Sequence, residues 1–181
     1  MPIELMLGSQ DFDRSRTPLP IASSLLLTGP PSTLRLRLRT RRTGVVIGCQ
    51  NTDTGTQRPA RSLPVVYVGR SGKLLVPTSA GGVDGPSAPV NDGAWHHVVI
   101  VRTGSSQSLY VDGALIRSIQ YAIPDGLDYC QAGIGFTTGW PDTNLGWVAF
   151  TGQIEGLRVY QQAWTQEQVM RDWSSSPGLR Q

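Results

Sequence analysis

The sequence has little of several residue types, and each shortage excludes a class of protein. Among its 181 residues there are two cysteines, two histidines, three glutamates and one lysine. Two cysteines are too few for a disulfide-dense scaffold, and no apolar run approaches the roughly 20 residues that span a bilayer. Charged residues make up only 16% of the chain, which excludes a highly charged disordered tail. Glycine and proline, with 21 and 13 copies, are typical of many short strands joined by turns.

Arginine supplies nearly all of the positive charge, because Lys73 is the only lysine in a chain of net charge +3. An anionic partner such as a sulfated or uronic glycan would explain this sign, although a charge of this size also simply keeps a small domain soluble. We do not expect nucleic acid as a ligand. Residues 1–7 lack the basic and apolar regions of a signal peptide. The sequence leaves open the compartment, and whether Cys49 and Cys130 form a disulfide or stay separate buried thiols.

Local patterns predict a series of short strands joined by tight turns. Residues 95–102 and 108–111 are apolar strands, and Asp112-Gly113 predicts a hairpin turn to residues 115–122, because a type I′ turn needs positive φ at both central positions. In residues 34–39 leucine alternates with arginine, which places the leucines on a buried face and the arginines on the opposite face. Further strands are predicted at residues 2–7, 45–49 (the candidate hairpin partner of 34–39), 65–69, 73–76, 132–136 and 150–160, with an apolar run at 21–27.

One helix is predicted, close to the C-terminus. Thr165 is a good N-cap and Gln168 follows three residues later, as in a capping box. Trp164 and Val169 occupy the two positions of a hydrophobic staple. Many short strands and one terminal helix predict an all-β fold: a jelly-roll β-sandwich of two antiparallel sheets, as a single domain over residues 1–181.

Two parts of the sequence resemble a known family. Asp92-Gly93-Ala94-Trp95-His96-His97-Val98, followed by Leu109-Tyr110-Val111-Asp112-Gly113, resembles the pattern "dG-x-W-H-H-V … l-Y-v-D-G" of laminin G-like domains in the concanavalin A-like lectin/glucanase superfamily. Residues 150–165 resemble the closing pattern of that family, except that Gly156 replaces an acidic residue and Trp164 replaces leucine. The resemblance covers residues 60–173 and implies a jelly-roll domain that recognises a ligand.

The residues that an enzyme of this superfamily needs are not present in the expected pattern. Glycoside hydrolysis requires two carboxylates that flank the bond, whereas Glu4, Glu155 and Glu167 are isolated and have no acid two positions away. His96 and His97 are adjacent on a strand and point to opposite faces, so they cannot share a metal ion. In the resembling family this string is a packing element, and we expect one imidazole to be hydrogen-bonded near the core. We therefore predict no catalytic residues.

The loop from Gly139 to Trp147 is the first candidate ligand site. Trp140 stands near Asp142 and Asn144, and an exposed indole beside polar groups suits a sugar, whereas Trp147 is expected in the core. The resemblance implies calcium as the candidate cofactor, with Asp142 and Asn144 as ligands; the alternative is no cofactor. The other loop acids, which form no compact ligand motif, are Asp84, Asp92, Asp125 and Asp128.

The arginine row Arg35, Arg37 and Arg39 is the second candidate site. Residues on one face of a strand lie roughly 7 Å apart, so these guanidiniums could bind sulfates or phosphates of an anionic polymer. The alternative is a solvated outer face that protects the sheet from aggregation.

The resemblance implies a non-catalytic recognition module that binds carbohydrate or a glycosylated or anionic surface, and an extracellular location. The alternative is a structural module that contacts protein partners in a larger assembly, such as a phage-tail-like or secreted complex, which the lack of a signal peptide favours. A glycan-active enzyme is the third hypothesis and is disfavoured because paired acids are missing.

Overall fold

Two antiparallel sheets face each other in the computed structural model, which describes residues 3–4, 9–13, 18–27, 29–55, 58–77, 88–122 and 124–178. Buried apolar side chains of both sheets form one core between them, so the predicted all-β jelly-roll sandwich is confirmed. Residues 2 and 5–7 of the first predicted strand lie outside the described residues. The elements, in chain order, are β1 (Ile3–Glu4), β2 (Ser9–Phe12), β3 (Leu19–Ala22), α1 (Ser23–Leu26), β4 (Ser32–Arg39), β5 (Gly44–Gln50), β6 (Ser62–Val68), β7 (Leu74–Leu75), β8 (Trp95–Thr103), β9 (Ser106–Val111), β10 (Ala114–Gln120), β11 (Tyr129–Ala132), β12 (Ile134–Thr137), β13 (Gly146–Ala149), β14 (Gly152–Tyr160) and α2 (Gln166–Ser175).

The strands form a larger sheet, a smaller sheet and a separate hairpin. Within the described ranges the larger sheet has the order β1-β14-β4-β8-β9-β10, with β2 also paired to β14. The smaller sheet has the order β3-β11-β5-β6-β7, and β12 pairs with β13. The predicted pairing of residues 45–49 with residues 34–39 is wrong, because β4 and β5 belong to different sheets. The chain crosses between the sheets at residues 40–43, where Thr40 Oγ1 donates to the carbonyl of Thr151 over 2.6 Å.

The Asp112-Gly113 turn has the predicted geometry. Asp112 has a φ of 50° and Gly113 a φ of 80°, so both central residues adopt the positive φ that the turn requires. The Asp112 carboxylate accepts the backbone N–H of His97 at 2.9 Å and lies 2.8 Å from His96 Nδ1. Burial alone would lower the pKa of His96, but hydrogen bonds to Asp112 and Asp92 outweigh it and raise that pKa above its ordinary value.

Helix α2 begins as predicted and lies on the outer face of the larger sheet. Thr165 Oγ1 accepts the N–H of Gln168, and Gln168 Oε1 accepts the N–H of Thr165, which completes the capping box. Val169 is fully buried in an apolar cluster with outward-pointing side chains of β8 and β9, and Trp164 packs against the same cluster. Neither helix in the described part of the chain is long and apolar enough to cross a membrane.

Two apolar segments are less regular than their composition indicates. The first two residues of the run at 21–27 are the last two of β3, and the next four form the short helix α1, in which Leu26 is buried. The strand predicted at residues 132–136 is broken into β11 and β12 at Gly133, whose φ of 98° strains any residue with a side chain. The ring of Phe12 packs directly against this glycine. The break takes β12 out of the smaller sheet and allows it to pair with β13 instead.

Cys49 and Cys130 form a disulfide, which decides between the two alternatives that the sequence left open. The two residues are direct neighbours on β5 and β11, and both are buried in the core. They are separated by 81 positions in the chain, so the bond joins segments that are distant in sequence.

Candidate functional site

The hairpin of β12 and β13 covers the outer face of the smaller sheet. It approaches β5 closely because glycine faces glycine there: a Cβ on Gly48 would lie 2.6 Å from the Cα of Gly135. Its inward-pointing side chain, Val148, packs on an apolar cluster that is separate from the main core. Both faces of β5 are consequently buried. The cluster under the hairpin consists of Val45, Tyr67 and Leu75.

The loop between β12 and β13 is held against the turn between β6 and β7. Asp142, with a φ of 58°, accepts the N–H of Ser71 at 2.9 Å and its hydroxyl at 2.5 Å through one carboxylate oxygen. The carbonyl of Asp142 accepts the N–H of Arg70 at 2.8 Å. The hydroxyl of Tyr67 donates to the carbonyl of Pro141 at 2.9 Å. Asp142 therefore acts as an anchor for this loop.

Trp140 is turned inward by this anchoring. Its indole packs against both the main core and the cluster under the hairpin, and its buried Nε1 has no hydrogen-bond partner among the described residues. The indole of Trp140 is therefore only partly exposed and is largely used in packing, and its role as a ligand contact stays a prediction. Asn144, by contrast, is exposed, and its carbonyl accepts the hydroxyl of Thr137.

Trp147, which the sequence placed in the core, supplies the accessible aromatic surface instead. Side chains alternate along β13, and because Val148 points inward, Trp147 points outward. Its partly exposed ring lies 5.5 Å from the ring of its cross-strand partner Phe136, at an interplanar angle of 77°. This edge-to-face contact holds the indole in a fixed orientation. The alternation within residues 146–149 is the sequence signal that would have identified Trp147.

Two depressions of about 450 and 430 Å³ flank Trp147. Trp147 and Leu145, which is 75% exposed, line both of them. We call Trp147, Leu145 and the two depressions the Trp147 surface. The polar residues around it are Arg58, Thr137 and Thr138 in the first depression and Arg42, Thr43, Asn144 and Thr151 in the second.

Each depression of the Trp147 surface carries one guanidinium. Arg58 lines the first depression and Arg42 the second, and both side chains are exposed. Among the described residues, no acidic side chain lines either depression. The Trp147 surface therefore has a positive charge in each depression, which attracts anionic groups. Sequence reasoning did not connect Arg42 or Arg58 with Trp147, because the fold brings them to Trp147 from distant loops.

The arginine row is covered by the C-terminal segment. Arg35 Nε donates to Asp172 Oδ2 of α2 over 2.9 Å. Arg37 forms an ion pair with Glu155, and its Nη2 donates to the carbonyl of Pro177 over 2.7 Å. The prediction of a solvent-facing row is therefore wrong for Arg35 and Arg37, which are buried, because α2 and the residues after it lie on that face of the sheet.

Asp172 connects this buried polar cluster to β8. His97 is fully buried, and its Nε2 lies 2.6 Å from the Asp172 Oδ2 that also accepts from Arg35. Burial would raise the pKa of Asp172, but the hydrogen bonds and charges of His97 and Arg35 outweigh it and lower that pKa below its ordinary value. The expected hydrogen-bonded imidazole in the core is thereby confirmed. Arg39 is the exposed member of the row, and its guanidinium carbon lies 5.2 Å from the centroid of the Trp95 ring.

Asp142, one of the two residues predicted as calcium ligands, is already engaged by the turn between β6 and β7. Calcium takes roughly six to eight oxygen ligands, whereas one oxygen of Asp142 already accepts two hydrogen bonds from Ser71. Over the described ranges, no three His, Cys, Asp or Glu side chains are placed to hold a metal. Asp84 lies outside the described residues. Calcium therefore stays a prediction.

Solved structures with a similar fold come from several organisms. A heptameric SAP-like pentraxin from Limulus polyphemus is 18% identical, with a TM-score of 0.57 over 99% of this chain and 87% of the pentraxin. The CBM40 of a Ruminococcus gnavus IT-sialidase, bound to α2,6-sialyllactose, is 13% identical, with a TM-score of 0.57 over 92% and 98% of the two chains. Domain 4 of the arabinanase AbnA from Geobacillus stearothermophilus, in complex with arabinotriose, is 14% identical, with a TM-score of 0.54 over 95% and 88%.

These identities are low, so the three structures establish the similarity of fold alone. No curated protein sequence matches the chain. A laminin G-like family model, described as the concanavalin A-like lectin/glucanases superfamily, matches residues 36–170. This match spans most of the chain and agrees with the two-sheet sandwich. The protein therefore belongs to the concanavalin A-like lectin/glucanase superfamily.

Proposed function

We propose that this protein is a non-catalytic carbohydrate-binding module and that its ligand lies on the Trp147 surface. The observation that carries the proposal is the position of Trp147, which is partly exposed, fixed by Phe136 and flanked by two polar depressions. A sugar packs its C–H face on an aromatic ring and hydrogen-bonds its hydroxyls to polar groups at the edge. Complexes of similar folds with sialyllactose and arabinotriose support a sugar as the class of ligand.

The placement of the carboxylates supports binding without hydrolysis. A glycosidase needs two carboxyl groups on either side of the bond that it cleaves. Among the described residues, neither depression of the Trp147 surface is lined by an acid. Glu155 is paired with Arg37 on the larger sheet, away from this surface. We therefore expect a bound sugar to be released unchanged.

The charges at the Trp147 surface favour an acidic sugar over a neutral one. Arg58 and Arg42 line different depressions, and Trp147 lines both, so an oligosaccharide that occupies both depressions across the indole reaches both guanidiniums. Guanidiniums bind carboxylates and sulfates through paired hydrogen bonds. We therefore propose uronic, sialylated or sulfated oligosaccharides as the preferred ligands.

Replacement of Trp147 by alanine is expected to weaken glycan binding roughly thirtyfold, the loss typical of a central aromatic contact. Isothermal titration with an oligosaccharide that the wild-type protein binds measures this loss. Met170→Ala is the control. Met170 is also an exposed apolar side chain, but it lies on α2 and does not line the Trp147 surface. Equal affinities of Trp147→Ala and the wild type would rule out the Trp147 surface as the binding site.

The double variant Arg42→Gln/Arg58→Gln is expected to bind acidic oligosaccharides roughly tenfold more weakly and neutral ones with unchanged affinity. The affinity for acidic ligands should also become less dependent on salt, because two exposed charges are lost. Arg117→Gln/Arg171→Gln changes the net charge equally on other elements and serves as the control. If both double variants reduce the affinity by the same factor, the effect of charge is general and the two arginines are not part of the site.

A further inference from the structure

A third cavity, of about 280 Å³, lies where the turn between β8 and β9 meets the segment before β4 and the residues after β10. It shares no lining residue with either depression of the Trp147 surface. Pro30, Ala122 and the ring of Tyr121 supply apolar walls, and Ser105 and Arg102 supply polar atoms. The cavity is therefore a separate, mostly apolar pocket with one cationic residue.

Arg102 is buried, and no described carboxylate compensates its charge. The residue is only 4% exposed. Its Nε donates to Gln107 Oε1 at 2.9 Å, and its Nη1 donates to the carbonyl of Leu26 at 2.8 Å. These bonds use two of the five N–H groups of a guanidinium, and the other three have no partner among the described residues. Within the same ranges no acid is close enough for an ion pair with Arg102. Buried charges are normally paired, and burial lowers the pKa of Arg102.

Tyr121 adds a second unsatisfied donor beside Arg102. Its ring centroid lies 5.3 Å from the guanidinium carbon, and its buried hydroxyl has no hydrogen-bond partner in the described part of the chain. Gln107, which accepts from Arg102, is itself fixed by a bond to the carbonyl of Pro77 at 3.2 Å. The guanidinium is therefore held in place from one side, and the cavity region holds hydrogen-bond donors that lack an acceptor.

We propose that this cavity, which we call the Arg102 pocket, binds a small organic monocarboxylate. The two terminal nitrogens of a guanidinium match the two oxygens of a carboxylate, and the free N–H groups of Arg102 are on those nitrogens. One negative charge neutralises one buried positive charge, whereas a phosphate dianion would leave an uncompensated charge in an apolar pocket. The apolar walls bury the hydrocarbon part of the same ligand. This site is independent of the proposed glycan site.

Benzoate and its neutral analogue benzamide test the proposal on the full chain. At constant ionic strength, titration calorimetry is expected to show benzoate binding roughly tenfold or more tightly than benzamide. The backbone NMR signals of Gly104 and Ser105 should shift with benzoate, because these residues line the Arg102 pocket. Trp147→Ala should leave benzoate binding unchanged, which separates this site from the glycan site.

Two variants examine the residues of the pocket. Arg102→Met should abolish the preference for benzoate over benzamide. Tyr121→Phe removes a hydroxyl that has no partner among the described residues, so it should fold normally and bind benzoate roughly fivefold more weakly. Tyr129→Phe, at an exposed tyrosine, is the control. The proposal is overturned if benzoate does not bind or if benzamide binds equally well. It is also overturned if Tyr121→Phe binds benzoate like the wild type, and this test remains available if Arg102→Met does not fold.

Discussion

Asp172→Asn is expected to lower the free energy of unfolding by about 2–3 kcal/mol, somewhat less than the loss of one partner from a fully buried ion pair because Asp172 is partly exposed. The variant keeps the shape of the side chain but removes the charge that Arg35 and His97 share. Both partners would stay buried beneath α2 with a weaker acceptor. Urea unfolding of the variant and the wild type measures the difference.

The effect of Asp172 also depends on pH in a defined direction. Its pKa in the folded protein is lowered, so its stabilisation is complete above the unfolded pKa of about 3.9 and is lost as the pH falls through the folded value. The stability gap between the wild type and Asp172→Asn should shrink as the pH falls below about 4. Asp128→Asn, at an exposed aspartate, is the control and should change the free energy of unfolding little at any pH. A gap that widens as the pH falls below about 4 would contradict the ion-pair assignment.

Loss of the disulfide is the second large expected effect. The double variant Cys49→Ala/Cys130→Ala should lower the free energy of unfolding by about 2–5 kcal/mol, because the bond closes a long loop and restricts the unfolded chain. The melting temperature of a chain of this size should fall by roughly 10 °C. The removal of two buried sulfur atoms adds a smaller packing loss in the core.

Reduction of the wild-type protein separates the bond from the packing effect. Dithiothreitol should destabilise the wild type nearly as much as the double alanine substitution, and it should leave the double variant unchanged. If the urea midpoint of the wild type is the same with and without dithiothreitol, then Cys49 and Cys130 are not joined in solution.

Local rules predicted those parts of the fold that local geometry determines. The turn at Asp112-Gly113 and the start of α2 at Thr165 follow from backbone conformation and capping, which depend on a few adjacent residues. The alternation in β4 correctly placed the leucines in the core. It did not show that the opposite face is also covered, because α2, more than a hundred residues later, docks there through Asp172. The sequence pattern gives the face of a strand but not what packs on it.

The candidate site shows the same limit. Sequence reasoning placed the candidate ligand contact at Trp140 in residues 139–147, whereas the structure leads us to propose Trp147 in the same segment. The choice between the two tryptophans depends on which indole the loop turns inward. The contact between Asp142 and Ser71, which are 71 positions apart, determines that orientation. The disulfide likewise depends on β5 and β11 being neighbours, which the spacing of two cysteines cannot show.

A glycan array with neutral, uronic, sialylated and sulfated oligosaccharides tests the central claim most directly. The array is probed with the wild type and with Trp147→Ala, once with calcium and once with EDTA. We predict selective binding of acidic glycans by the wild type and its loss in Trp147→Ala; a dependence on calcium would show as a loss of signal in EDTA. Absence of binding to every glycan under both conditions would contradict the account and favour a structural module that contacts other proteins.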